Sequence, residues 1–129
     1  MPETVEIRLQ LLLGSDQISP EVTTVTRRLS RSVENYLEVP LTGTVAMSFI
    51  THLALGLERL RQGTPVESAL SDDLLEEVQE RIEDWHFAQK LAGQVEQELG
   101  MALPENEIGY MAAHISALSE VVKSEGGDE

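Results

Sequence analysis

The chain has 129 residues and no cysteine, and its nine Lys and Arg face 23 Asp and Glu, a formal charge of −14. That length fits one domain with one core, and the missing thiols exclude a disulfide framework, a thiolate metal site and a cysteine nucleophile. The acidity argues against direct nucleic-acid binding, because phosphates demand a cationic surface and the one basic cluster, Arg27, Arg28 and Arg31, is small.

A basic protein partner is favoured electrostatically instead. No apolar run approaches the ~20 residues that span a bilayer, and no stretch combines Lys and Arg with apolar residues as a membrane-surface helix would. The N-terminus lacks the layout of a signal peptide. A cytoplasmic protein without membrane attachment is expected.

In chain order, Val5, Ile7, Leu9, Leu11 and Leu13 alternate with Glu6, Arg8 and Gln10, a strand-like period of two. With no partner strand in view, residues 1–17 are expected to be a linker or an N-terminal arm. Ser19-Pro20-Glu21 then places a cap before a proline, opening a helix to about Tyr36. Pro40 interrupts, Thr42 caps a second helix running to Arg61, and Gly63 stops it. Ser71-Asp72-Asp73 caps a third, with acids at the positive end of the helix dipole. A fourth runs from about Asp84 to Leu99 and ends at Gly100.

Leu103-Pro104-Glu105 opens a fifth helix that reaches about Val122. Ala46, Ile50, Leu53, Leu57 and Leu60 recur at helical spacing, as do Ile108, Met111, Ala112, Ile115 and Leu118. The expected fold is all-α, a compact five-helix bundle over residues 18–123, with 124–129 as a disordered tail.

Three histidines are the residues to weigh. Helical geometry sets Val45, Phe49, His52, Gly56 and Arg59 along one strip of the second helix. Gly56 costs about 1 kcal/mol of helix propensity relative to alanine, and in return leaves space beside the ring. Arg59, two turns along, has the forked guanidinium that grips a phosphoryl group bidentately. On spacing alone, a core-edge histidine beside a surface arginine is the favoured reading.

His114 follows Tyr110 by one turn and Glu107 by two, so an acid, a phenol and an imidazole share a strip. Ala113 and Ala117 keep its surroundings small, and Gly109 is again a glycine within a helix. Taken alone, His114 too is first read as structural. His86, between Trp85 and Phe87, reads as part of a packing cluster.

Other chemistries lack support. No His-x-x-x-His or His-Glu-x-x-His pair sets metal ligands on one helix face. Neither a Gly-x-Ser-x-Gly turn nor a glycine-rich phosphate loop is present. No cofactor, metal, catalytic residue or small-molecule substrate is expected, and the chain is not read as an enzyme.

Two strings resemble a known family. Phe49-Ile50-Thr51-His52-Leu53-Ala54-Leu55-Gly56-Leu57-Glu58-Arg59-Leu60 is followed by Leu103-Pro104-Glu105-Asn106-Glu107-Ile108-Gly109-Tyr110-Met111-Ala112-Ala113-His114-Ile115, the histidines 62 residues apart. Together they look like the phosphotransferase-system regulation domain, or PRD, over about Pro20 to Val122. The second string is the more specific, through Glu-Ile-Gly-Tyr and His-Ile.

The resemblance implies a five-helix bundle that forms a homodimer. It implies phosphorylation of His52 and His114 by the phosphocarrier HPr or by a permease's EIIB component; helix spacing, apart from the resemblance, makes Arg59 the residue to support a phosphoryl group on His52. The output would be control of a bacterial transcription antiterminator or activator for carbohydrate-uptake genes.

Antiterminator members carry an aspartate directly before the first histidine, where this chain has Thr51. The His-Leu-Ala form looks more like LevR-type activators that work with sigma-54 polymerase. Neither an ATPase motif nor an RNA-binding module is present, so a piece of a larger regulator is expected. Two alternatives stand beside this reading. One is a phosphorylation-independent helical dimerisation module. The other is a two-component phosphotransfer bundle, which would present one exposed histidine rather than two spaced ones.

Overall fold

The computed structural model describes residues 4–63 and 71–126, with side chains as far as Val122. Six helices lie within these residues: α1 (Val5–Gly14), α2 (Pro20–Leu37), α3 (Gly43–Arg61), α4 (Asp72–Gln79), α5 (Ile82–Leu99) and α6 (Glu105–Gly126). No strand is present among the described residues, so the chain is all-α.

The count of six corrects the expected five, and the added helix is the N-terminal one. The segment with the strand-like period is α1, whose N-cap Thr4 accepts a hydrogen bond from the Ile7 amide at 3.2 Å. The two-residue alternation misleads because Ile7 and Leu11 remain exposed. Only Leu9 and Leu12, three apart and therefore on one helix face, enter the core fully, with Val5 and Leu13 packed at its edge. Leu, Glu, Arg and Gln are good helix formers, so propensity and burial agree on a helix. The stretch expected as a linker or arm thus packs on α2 and α3 as part of the bundle; residues 1–3 lie outside the described ones.

Sequence punctuation sets most other boundaries. Ser19 caps α2 through the Val22 amide at 3.2 Å, and Pro20 sits at its start, where its missing N–H costs nothing. Ser71 caps α4 through the Leu74 amide at 3.2 Å. Gly100 ends α5 in the left-handed conformation that glycine adopts freely. At its C-terminal end, α6 continues to Gly126, beyond the expected stop near Val122, and residues 127–129 lie outside the described ones.

Phe49, Ile50, Leu53, Ala54 and Leu57 of α3 meet Met111, Ala112, Ile115 and Leu118 of α6 in one core. Besides α3, α6 packs on α2, α4 and α5. Glu58, only 5% exposed, is the one buried carboxylate among the described residues. It accepts the Ser19 amide at 2.6 Å, binding the end of α3 to the start of α2. The expected basic cluster is largely neutralised within the fold, since Arg27 pairs with Glu6 at 2.8 Å and Arg28 pairs with Glu98.

Candidate functional site

Both histidines of interest are carried by core helices, and their burial pattern follows from the helical period. His52 lies between Phe49 and Leu53 of α3, both buried, so its ring emerges at the edge of the core stripe. His114 follows Ala112 and precedes Ile115, and it too is half-buried. Packing of α3 on α6 brings the two imidazoles to 6.2 Å between ring centroids, 10° from parallel.

Tyr110 occupies the space that joins them. Its ring stacks on His52 at 3.6 Å and on His114 at 4.4 Å. Phe49 closes the far side, 5.5 Å from His114. The two motifs that are remote in sequence therefore form one site.

The ring nitrogens are differentiated by their partners. Nδ1 of His114 lies 3.2 Å from the Tyr110 carbonyl oxygen, which can only accept. Nδ1 therefore carries the proton, and the lone pair resides on Nε2. In His52, Nε2 is sealed from solvent and has no hydrogen bond, but it lies 3.6 Å from Oε2 of Glu107. A carboxylate there favours the proton on Nε2, which leaves Nδ1 as the nucleophilic nitrogen. Burial pushes the His114 imidazole below its ordinary pKa, the neighbouring His52 adds to this, and the Tyr110 carbonyl opposes it.

The expected strip partners are rearranged. Glu107 was placed by spacing two turns before His114, yet its carboxylate faces His52 across the α3–α6 contact. Gly56 faces the same carboxylate, and a Cβ added there would stand 3.6 Å from Glu107 Oε2, an ordinary contact. Arg59 is exposed, and no hydrogen bond or ion pair joins its side chain to another described residue. His86 is exposed at the start of α5, with half-buried Trp85 and Phe87 on either side.

One residue of this region was not found from sequence. Arg8 of α1 lines a cleft of about 570 Å³ together with Gly43, Thr44, Met47, Ser48, Thr51 and His52 of α3. Its position depends on α1 being a helix packed on α3, and the strand-like alternation concealed that. The only signal available was a basic residue within an otherwise apolar and acidic stretch.

An all-helical bundle that gathers two histidines and a tyrosine at one interhelical seam defines the class: a helical domain with a paired-histidine site. The family model of the PRD domain matches residues 27–118, and the chain belongs to that family, the domain of phosphotransferase-system regulation. Comparison with curated proteins and with solved structures found no match. The matched span contains His52 and His114 and begins within α2, so α1 lies outside it.

Proposed function

We propose that this domain is the phosphate-receiving regulatory part of a bacterial transcriptional regulator of carbohydrate-utilisation genes, acting in the cytoplasm without enzymatic activity of its own. The observation that carries the reading is the single seam holding His52 and His114, 6.2 Å apart, within the span that matches the family. Each imidazole keeps one nitrogen with a lone pair, which is what a phosphoryl acceptor requires. The donors are the phosphocarrier HPr and the EIIB component of a sugar permease, and the acidity of the chain favours basic surfaces on them. A LevR-like activator working with sigma-54 polymerase is the form of regulator that Thr51 supports.

The regulatory readout is proposed to be a homodimer whose geometry responds to charge. A phosphoryl group adds about −1.5 to −2 charges near neutral pH, by analogy with other phosphorylated side chains. The alternative, a phosphorylation-independent dimerisation module, has the same fold and differs only in the chemistry of the histidines.

Incubation with the phosphotransferase components, followed by mass spectrometry under alkaline conditions, separates the two. Acid-labile phosphate on His52 or His114, lost in His52→Ala or His114→Ala, is the expected result. Labelling unaffected by both substitutions would overturn the assignment.

A further inference from the structure

We propose that the cleft between α1 and α3 is the phosphoryl-binding half of the site at His52, with Arg8 as its cation. This rests on the reading of His52 as a phosphoryl acceptor. It adds a residue that neither the histidine motifs nor the span matching the family contains.

The lining of the cleft is chemically suited to a small tetrahedral anion. Arg8 supplies the guanidinium, whose forked donors match phosphoryl oxygens. Thr44, Ser48 and Thr51 add three hydroxyls along one strip of α3, at the spacing that repeats a helix face. His52 closes the row.

Two further features concern unmet hydrogen bonding. The Thr51 Oγ1 is sealed and has no hydrogen-bond partner, an unfavourable state for a hydroxyl. Rotation about its χ1 would present that oxygen to an anion in the cleft. The first turn of α3 faces the cleft through Gly43 and Thr44, and the N-cap Thr42 makes no side-chain bond to that turn. Backbone amides at such an end carry partial positive charge.

The geometry is held by the backbone rather than by chance contact. Thr4, at the head of α1, bridges Thr42, at the head of α3, and the Arg8 amide donates to the Thr4 carbonyl at 3.0 Å. Arg8 is thereby fixed one turn inside α1, opposite the row that leads to His52. Glu107 is not part of the cleft lining; it approaches Nε2 of His52.

The step this arrangement serves is balanced. The Nδ1 lone pair of His52 attacks phosphorus, the bond from phosphorus to the donor atom breaks, and that atom keeps the electron pair. The Nε2 proton stays in place, and the Glu107 carboxylate offsets the positive charge the ring gains. Arg8 holds the phosphoryl oxygens before and after transfer.

The test uses the whole chain in a His114→Ala background, so that only the His52 site of the seam is read, with phosphoramidate as a small chemical donor beside the protein donors. Phosphorus NMR should show a phosphohistidine on His52, retained severalfold longer with Arg8 than in Arg8→Gln. Arg8→Lys should recover part of the lifetime and a shifted resonance, and Arg59→Gln should shorten it less than Arg8→Gln does. Circular dichroism on each variant confirms that α1 remains folded; a decline in lifetime that follows helix loss equally in Arg8→Lys and Arg8→Gln counts against the proposal.

Equal lifetimes for the parent and Arg8→Gln would overturn it, as would a larger effect of Arg59→Gln. Failure of phosphoramidate to label His52 would also overturn it, because a cleft built for phosphate must admit the smallest donor. Labelling by phosphoramidate but not by HPr or EIIB would remove the proposed donors and leave the cleft assignment standing.

Discussion

The imidazole of His52 and the phenol of Tyr110 lie face to face, 3.6 Å between ring centroids and 17° from parallel, although one belongs to α3 and the other to α6. The stack fastens two helices at the point where the candidate chemistry resides, so a change at either histidine is felt by the helix–helix seam. Tyr110→Ala should remove both ring contacts. Aromatic pairs contribute about 0.5–1.5 kcal/mol beyond area burial, so the loss should reach about 2 kcal/mol by urea unfolding. The imidazole NMR signals of His52 and His114 should both move. Signals that stay in place for both histidines would contradict the coupling.

The two histidines should accept phosphate on different nitrogens. Nδ1 of His114 is held by the Tyr110 carbonyl, leaving Nε2, whereas Nε2 of His52 is sealed beside Glu107, leaving Nδ1. Long-range nitrogen–phosphorus NMR correlations on the labelled protein distinguish the isomers. Phosphate on the same nitrogen in both rings would show that the resting tautomers do not direct the attack.

Stability should depend on pH through His114. Burial, first, and then the neighbouring His52 keep its imidazole below the ordinary value of 6.5. The unfolded chain therefore binds a proton that the folded chain resists, and stability is full above about 6.5 and declines as pH falls below it. Glu6 is held down to about 2, chiefly by its hydrogen bond from Arg27, so it acts only below the ordinary carboxylate value of 4.5. The slope of unfolding free energy between about pH 6.5 and 5 should thus be smaller in His114→Phe. An unchanged slope would rule out His114 as its source.

Glu58 should be the costliest surface-remote carboxylate to lose. It accepts the Ser19 amide at 2.6 Å, Arg61 at 3.1 Å and Gln62 at 2.9 Å while almost fully buried. Hydrogen bonds to charged groups contribute about 1.5–3 kcal/mol. Glu58→Ala is expected to lose about 2–3 kcal/mol in urea unfolding, and Glu58→Gln less, because its amide oxygen still accepts from Ser19. Equal losses would assign the effect to packing.

Gly56→Ala should stabilise the protein. The added Cβ meets only the flexible Glu107 carboxylate, at 3.6 Å, and alanine in a helix interior is favoured over glycine by about 0.5–1 kcal/mol. The urea midpoint should rise with no change in slope. A fall would mean that displacing Glu107 disturbs the seam more than the helix gains.

Local rules were enough for most of the bundle. Ser19-Pro20, Ser71 and Gly100 mark helix ends because unpaired backbone groups there need a cap or a left-handed residue, and these requirements act within four residues. The spacing of Phe49, Ile50, Leu53 and Leu57 likewise identifies the buried face of α3, since a helix of regular period can bury only one stripe. His52 and His114 were both legible, through their motifs rather than through physics alone.

What surrounds them was not legible, because it depends on which helices meet. Glu107 shares a helix with His114 but faces His52, and Tyr110 touches both rings only because α6 lies across α3. Arg8 reaches the His52 cleft only once α1 is folded onto α3, and exposed Ile7 and Leu11 hide that helix in an alternating pattern. Spacing along one helix fixes neighbours at three and four residues; contacts between helices follow from the packing of whole apolar faces, which no single motif records.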